Sequence, residues 1–600
     1  MKLDIIYIII EILLMILLFF IAKVSQEKPS NMWRLLYACP VFFAIIMVLV
    51  LGYSVYHIGI YGVAALQIVA LYMVRVKNKR ILSVVSIIVL IGSLVLILIA
   101  PGYRKKTIYK DFRKMYSVMR DHYVLTDEKG INWDSLYEKY EPLFKRADQN
   151  QDFVQNYKLW QQFTGEFYDG HVSYQMKNDM TEALAQSYGN DYGLSIVRLS
   201  SGEYVAVNVE GYDNSYSVMN NEEDIYGFYK FQDTYRSPDA SEKRLTLKNA
   251  GIKNGTIISK WNGKPIEEYF DEITYYAFQY PVRENEEFYQ PLYVAGIGKD
   301  MSYGQTYVPG EDVKSSSPKG VIKEPSVDIT FINENGQEET ITAPSLGIYS
   351  PRMFDTCSKI DEGVNITNLN WRKMDDSTYM IRISEMAYDK KTYLGTDYKE
   401  MQDKLMEEVK AIKEKGGKNI IFDLRANSGG SPFFVNAIAQ IFAPEGQHLT
   451  YYSAVINEDR ACFERDENGK YKMGQPISYE GQNLWEDGQI ILLVNAMTVS
   501  AGDDMTYIMG DYPNVKVMGV TSTNSSCQAV TSTSGEYGEL SFSAVPTLLP
   551  DGKVAIDTFK DHVGRTPFDE RIPLSQELIS GIFDRGEDYI LNYAADSFEK

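Results

Sequence analysis

Apolar residues follow three different patterns along this 600-residue chain. In the first hundred residues four nearly unbroken apolar runs (5–22, 35–51, 58–74 and 81–100) have lengths that cross or nearly cross a bilayer. A cleaved leader would explain one such run but not four, so the pattern predicts a retained four-helix transmembrane anchor over 1–100. From 110 to about 167 aromatic and apolar residues recur three and four apart, which predicts helices, one of them started by Asn132 or Asp134 as its cap. Farther on the runs shorten and are punctuated by glycine. Strands are predicted at 191–197, 327–332 and 340–342, and tight turns at Asn262-Gly263 and Asn335-Gly336. The stretch 283–318, rich in Tyr, Gly and Ser, reads as an insertion. From about 377 strand and helix patterns alternate. A strand is expected at 379–383, an amphipathic helix at 397–415 stopped by Gly416-Gly417, and a further strand at 515–519.

Two segments in this last region carry the chemistry. Residues 419–430 and 490–503 are each a short apolar run that ends abruptly in small and polar residues, as a buried parallel strand does when it delivers a loop. Open α/β sheets bind ligands beyond the carboxyl ends of their strands. The first loop ends in Gly429-Gly430, whose backbone a ligand can approach closely. The second presents Ser500 ahead of a predicted helix. A serine facing a glycine loop supplies a nucleophile and an oxyanion site, the minimum for acyl transfer.

Charge separates the two ends of the chain. Basic residues mark the first predicted connection (Lys23, Lys28, Arg34) and the third (Arg75, Lys77, Lys79, Arg80), while the middle one has none. Basic loops stay in the cytoplasm, so both termini are expected outside, although Arg104, Lys105 and Lys106 directly follow the fourth run. One run contains an ionisable residue, Glu11, which marks either a functional role or a group reaching for the interface. Beyond residue 100 there are 52 basic and 77 acidic residues, a formal charge of −25. Such a surface repels nucleic acid. The cysteines (Cys39, Cys357, Cys462, Cys527) show no zinc or disulfide spacing, the five histidines are scattered, and neither a metal nor another cofactor is indicated.

The string Asp423-Leu-Arg-Ala-Asn-Ser-Gly-Gly430, followed about 70 residues later by Ser500-Ala-Gly-Asp503, resembles the tail-specific, or C-terminal processing, serine peptidases, including the tricorn protease core. The resemblance covers roughly 110–600 and implies a multidomain protein. Its parts are a helical N-terminal subdomain over 101–187, a mainly-β PDZ-like domain with an insertion over 188–345, and an α/β core of the ClpP/crotonase type over 346–600. It also implies roles. Ser500 becomes the nucleophile, with Gly430, Gly429 and Ala501 N–H groups as the oxyanion hole. Tyr192-Gly-Leu-Ser195 stands where a PDZ carboxylate-binding loop belongs, so Gly193 and Leu194 would bind a peptide end.

The general base is less direct. Many family members place a lysine about 25 residues after the serine, where this chain has Ser525, and the nearest lysine, Lys516, lies in the preceding strand. The string Asp169-Gly-His171 matches instead the tricorn-like branch, in which this histidine is the base. An imidazole with its pKa near neutrality suits that task. The same branch supplies an acidic third residue near the C-terminus, which points to Asp569 or Glu570. The chain departs from the family pattern at Asp503, where glutamate is usual, and over 521–524. The expectation is thus a membrane-anchored, multi-pass extracytoplasmic endopeptidase that acts on peptides or protein tails. The alternatives are an inactive relative that binds peptide tails as an adaptor, or a membrane sensor. The oligomeric state is left open.

Overall fold

In the computed structural model, residues 108–176, 190–209, 240–243, 245–273, 282–299, 307–309, 320–322, 326–348, 350–362, 368–388, 397–457, 462–524, 528–555, 558, 561–564 and 566–599 are described. The predicted anchor lies outside them. Among the described residues no helix is long and apolar enough to cross a membrane.

The helical region opens with α1 (Ile108–His122), α2 (Trp133–Asn150) and α3 (Phe153–Gly165). Asn132 caps α2, its side chain accepting from Ser135 N at 3.0 Å, which chooses between the two candidates. Asp152 caps α3 in the same way. The apolar faces meet in an aromatic core where Phe112 stacks on Phe144 at 4.2 Å and Trp160 stacks on Tyr174 at 5.0 Å. Tyr174 belongs to β1 (Ser173–Met176), so the turn holding His171 joins α3 to a strand.

The next module pairs β2 (Ser195–Arg198) with β3 (Tyr204–Val207), and sets β4 (Ile258–Trp261) against β5 (Ser326–Ile332), itself paired with β6 (Glu338–Pro344). Asn262 and Gly263 both take positive φ (48° and 78°), the conformation a two-residue hairpin turn requires. The stretch read as an insertion contains α4 (Arg283–Val294), which packs on β2. Its Phe288, Tyr289, Leu292 and Tyr293 recur at helical spacing and enter the module's core, a signal masked in the sequence by the neighbouring polar residues.

The core of the chain is a six-stranded sheet made of β7 (Asn370–Lys373), β8 (Thr378–Arg382), β9 (Asn419–Asp423), β12 (Gln489–Leu493), β13 (Val515–Gly519) and β16 (Glu570–Arg571), in that order across the sheet. All neighbours are parallel except β7 with β8. Helices α6 (Lys399–Glu414), α7 (Pro432–Phe442) and α8 (Ala501–Met509) pack on one face, where Ile381, Ile420, Phe422, Leu492 and Val517 point. The alternate residues Met380, Ile421, Ile491 and Met518 face the core built with α9 (Gln576–Phe583) and α10 (Tyr589–Asp596). Burial on both faces explains why these strands read as unbroken apolar runs. Between β9 and β12 the chain also forms the antiparallel pair β10 (Gly446–Ala454) and β11 (Met473–Gly481). After β13 it forms β14 (Ala529–Ser534) and β15 (Gly538–Val545).

Residues 108–600 form one compact unit, and its packing does not follow the expected boundaries. Strand β15 pairs with β1, and Leu540 and Phe542 enter the aromatic core of the helical region. Helix α5 (Ser350–Cys357), on the catalytic side of the expected boundary at 345, belongs by packing to the preceding module. There Met353 is buried, and the fully buried Arg352 pairs with Asp191 at 2.6 Å.

Candidate active site

Strands β9 and β12 are neighbours, with Phe422 opposite Leu492, so their carboxyl ends deliver both loops side by side. The loops are then laced together. Leu424 N–H donates to Leu493 O (2.8 Å), Ala426 N–H to Asn495 Oδ1 (2.9 Å), Val499 N–H to Asn427 O (2.9 Å) and Thr498 Oγ1 to Leu424 O (2.8 Å). Beneath them, Arg425 holds Asp423 and Asp588 at 2.8 Å, and Arg382 reaches Asp423 at 2.8 Å. Burial raises the Asp423 carboxyl, but the two guanidinium groups outweigh it and hold the pKa at about 2. The Asp-Leu-Arg part of the motif is therefore the foundation of the loops.

Ser500 sits at the turn from β12 into α8 with φ 57° and ψ −126°, a costly conformation for a residue bearing a Cβ. Its side chain makes no capping hydrogen bond to α8, and the residue is part-exposed. Strain concentrated at a strand-to-helix serine is the geometry of a presented nucleophile. Gly429 lies directly against it. A Cβ at 429 would meet Ser500 Cβ at 2.5 Å and Oγ at 3.0 Å. At Gly430 (φ 137°) a Cβ would meet Met386 O at 2.6 Å.

The backbone donors sort themselves by geometry. Gly429 N–H is spent on Asn427 Oδ1 at 2.8 Å, so the structure removes it from the expected oxyanion hole. The parallel bridge to Met386 uses Gly429 O and Ser431 N, which turns Gly430 N–H away from Met386. Ala501 is the first residue of α8, whose leading N–H groups have no carbonyl within the helix to bond. Gly430 and Ala501 are the pair left to receive an oxyanion.

His171 lies in the turn before β1, with its backbone N–H donating to Asp169 Oδ1 at 2.9 Å. Asp169 Oδ2 accepts from Tyr123 Oη (3.0 Å) and Ser543 Oγ (2.8 Å) and fixes the turn. The imidazole packs against the backbone of Gln528. Asn524, four positions before Gln528 in the sequence, donates its N–H to Thr498 O at 3.3 Å, two residues before Ser500. Burial lowers the imidazole pKa below its usual 6.5, opposed by Asp169 and the Gln528 hydrogen bond, so the ring is neutral at pH 7. On its other side the turn is held by the buried Lys129, whose Nζ donates to Tyr168 O (2.6 Å) and to Thr558 O and Oγ1.

The acidic candidates near the C-terminus are engaged elsewhere. Asp569 accepts from Val517 N–H at 2.7 Å. Glu570, on the edge strand β16, pairs with Lys516 and accepts from Tyr593 Oη at 3.1 Å. Both carboxylates brace the sheet edge, and the acid placed against His171 is Asp169. It stands in the same Asp-Gly-His string, which was the available signal. Lys516, held by Glu570, is likewise part of that brace. Ser525 lies outside the described residues.

In the preceding module Gly193 N–H donates to Asp191 Oδ1 at 2.8 Å, and Leu194 is buried beside α4 in a common core. A Cβ at Gly193 would lie 2.8 Å from Leu247. The expected carboxylate loop is thus closed in this structure: one of its donors is used and its apolar residue is covered.

Residues 378–558 match the model of peptidase family S41, and residues 105–155 match that of the tricorn protease C1 domain. No curated protein matches the chain. Similar solved structures include mature CPAF, at 10% identity over 79% of this chain and 94% of that one, with a TM-score of 0.48. A putative peptidase from Parabacteroides merdae ATCC 43184 is 14% identical over 82% and 96%, with a TM-score of 0.36. The photosystem II D1 C-terminal processing protease is 13% identical over 80% and 99%, with a TM-score of 0.32. The match over 378–558 takes in both laced loops and the serine turn, and it supports a serine peptidase with an S41-like core.

Proposed function

We propose that the chain is a membrane-anchored endopeptidase that cleaves peptides or protein C-terminal tails outside the cell through an acyl-enzyme on Ser500. The observation that carries this reading is the strained Ser500 turn locked against Gly429, with Gly430 and Ala501 N–H groups left to receive charge. In the proposed reaction His171, neutral at pH 7, takes the Ser500 Oγ proton as Oγ attacks the scissile carbonyl carbon. The carbonyl oxygen becomes an oxyanion held by the two N–H groups. The imidazolium then gives its proton to the leaving amine as the C–N bond breaks. A water activated by His171 hydrolyses the ester. Asp169 orients the turn, the role a third group has in such constellations.

The test is covalent labelling of the full chain with a fluorophosphonate. Ser500→Ala abolishes labelling, His171→Ala lowers its rate by about 10³-fold or more, and Lys516→Ala leaves it within a few-fold of wild type. The wild-type labelling rate rises with pH through a pKa below 6.5, because burial favours the neutral ring. Loss of labelling in a folded Lys516→Ala variant, with His171→Ala still reactive, would assign the base to the lysine instead.

A further inference from the structure

Three residues after Ser500, in the first turn of α8, Asp503 is fully buried. Its Oδ1 accepts from Thr566 Oγ1 at 2.9 Å, and Oδ2 is buried with no hydrogen-bond partner among the described residues. Three segments meet at this carboxyl. One is the nucleophile's helix. The second is the loop after β13, which brings Thr523 beside the carboxyl. The third is the C-terminal segment that brings Thr566. Just before Thr566, this last segment also places Thr558 on Tyr168 (Oγ1 to O, 3.1 Å) and the His562 ring 4.2 Å from the Tyr168 ring, three residues from His171. The segment that holds Asp503 thus also reaches the turn that carries His171.

A carboxylate here would be unusual. Among the described residues the only other ionisable group facing it is Asp504, on its own helix. The loop and the C-terminal segment contribute threonine hydroxyls, and no basic side chain among the described residues faces it. Burial raises the pKa to about 7, with Asp504 adding to the rise and the two threonines opposing it. The positive end of α8 is the same feature that would stabilise an oxyanion at Ala501 N–H. A negative charge in that same first turn would offset part of that field.

We propose that Asp503 is a positioning residue that must carry its proton: by accepting from Thr566 it ties the Ser500 helix to the C-terminal segment in either state, and as a carboxylate it weakens the oxyanion site. This rests on the acyl-enzyme reading, and it adds a control on the reaction at alkaline pH that neither Ser500 nor His171 supplies.

The test is the pH profile of kcat/KM for peptide hydrolysis by the full chain, from pH 5.5 to 9. The wild type is expected to lose activity above an alkaline pKa near 7, falling to a lower plateau where Asp503 is ionised, with the loss in kcat and not in KM. Asp503→Asn keeps the shape and the acceptor for Thr566 without a titrating proton. It should retain activity within about threefold at pH 6 and lack the alkaline limb. If that variant fails to fold, Thr566→Val serves instead. Loss of a hydroxyl that favours the carboxylate should move the limb to higher pH, a change that a purely structural role would not produce. A wild type without an alkaline limb, an Asp503→Asn enzyme that keeps it, or a Thr566→Val limb that stays put or moves down would each overturn the proposal. Hydrolysis that survives Ser500→Ala would overturn the acyl-enzyme reading instead, whatever the profiles show.

Discussion

At the scale of single residues, the room around the nucleophile is set by the absence of one methyl group. Gly429 has φ 85°, which disfavours any side chain, and its missing Cβ is the space that Ser500 occupies. Gly429→Ala should therefore lower kcat/KM by at least 10²-fold, because the serine must rotate or shift by more than half an ångström to relieve the contact. Circular dichroism and the thermal midpoint should show a folded protein, since the loop lies beyond the end of β9 and outside the apolar core of the sheet. Activity close to wild type would mean that Ser500 does not react from the position seen here. The glycine pair and the serine were both legible in the sequence. What could not be read was the division of labour among N–H groups, because a hydrogen bond from Gly429 to Asn427 depends on the loop's three-dimensional course.

At the scale of elements, the laced loops stand on a buried ion network linking β8, β9 and α10. Arg425 is 1% exposed and sits between Asp423 and Asp588, so its charge is balanced by those two carboxylates, the first of which it shares with Arg382. Removing it leaves two carboxylates buried beside one remaining guanidinium. Arg425→Ala is expected to cost about 3–5 kcal/mol of stability, the usual result of breaking a buried pair on one side. Urea unfolding of the variant and the wild type measures it, and a change below about 1 kcal/mol would show that the network is not what holds the loops. The element types were predictable where periodicity was strong. The helix expected at 397–415 spans Lys399–Glu414, and the strand expected at 515–519 spans Val515–Gly519. Helix α4 was not, because its apolar residues are interrupted by acidic ones and only the β2 surface shows which face they cover.

At the scale of the whole molecule, the proposed anchor and the peptidase unit make separable demands. Four apolar runs in the first hundred residues should retain the full chain in the membrane fraction through an alkaline carbonate wash. Deleting residues 1–107 should release the remainder in soluble form, given that 108–600 packs as one compact unit. Recovery of the full chain in the soluble fraction without detergent would remove the anchor from the proposal. Packing inside this unit crosses the expected domain limits. The β14–β15 hairpin, about 370 residues from the helical region, completes that region's aromatic core, and α5 belongs by packing to the module before it.

The sequence by itself determined the parallel sheet, the two loops at its edge and the small residues at their tips. These follow from local rules: apolar runs for strands buried on both faces, glycine for positive φ, and a serine before a helix. The tertiary structure decided which candidates could act together. It set Asp569 and Glu570 at the sheet edge and Asp169 beside His171, although all three are acidic residues in loop-like stretches. It also buried Asp503 where no basic side chain among the described residues faces it. Hydrogen-bond partners and burial depend on which distant segments fold against a residue, and no local pattern of apolar and polar positions encodes that.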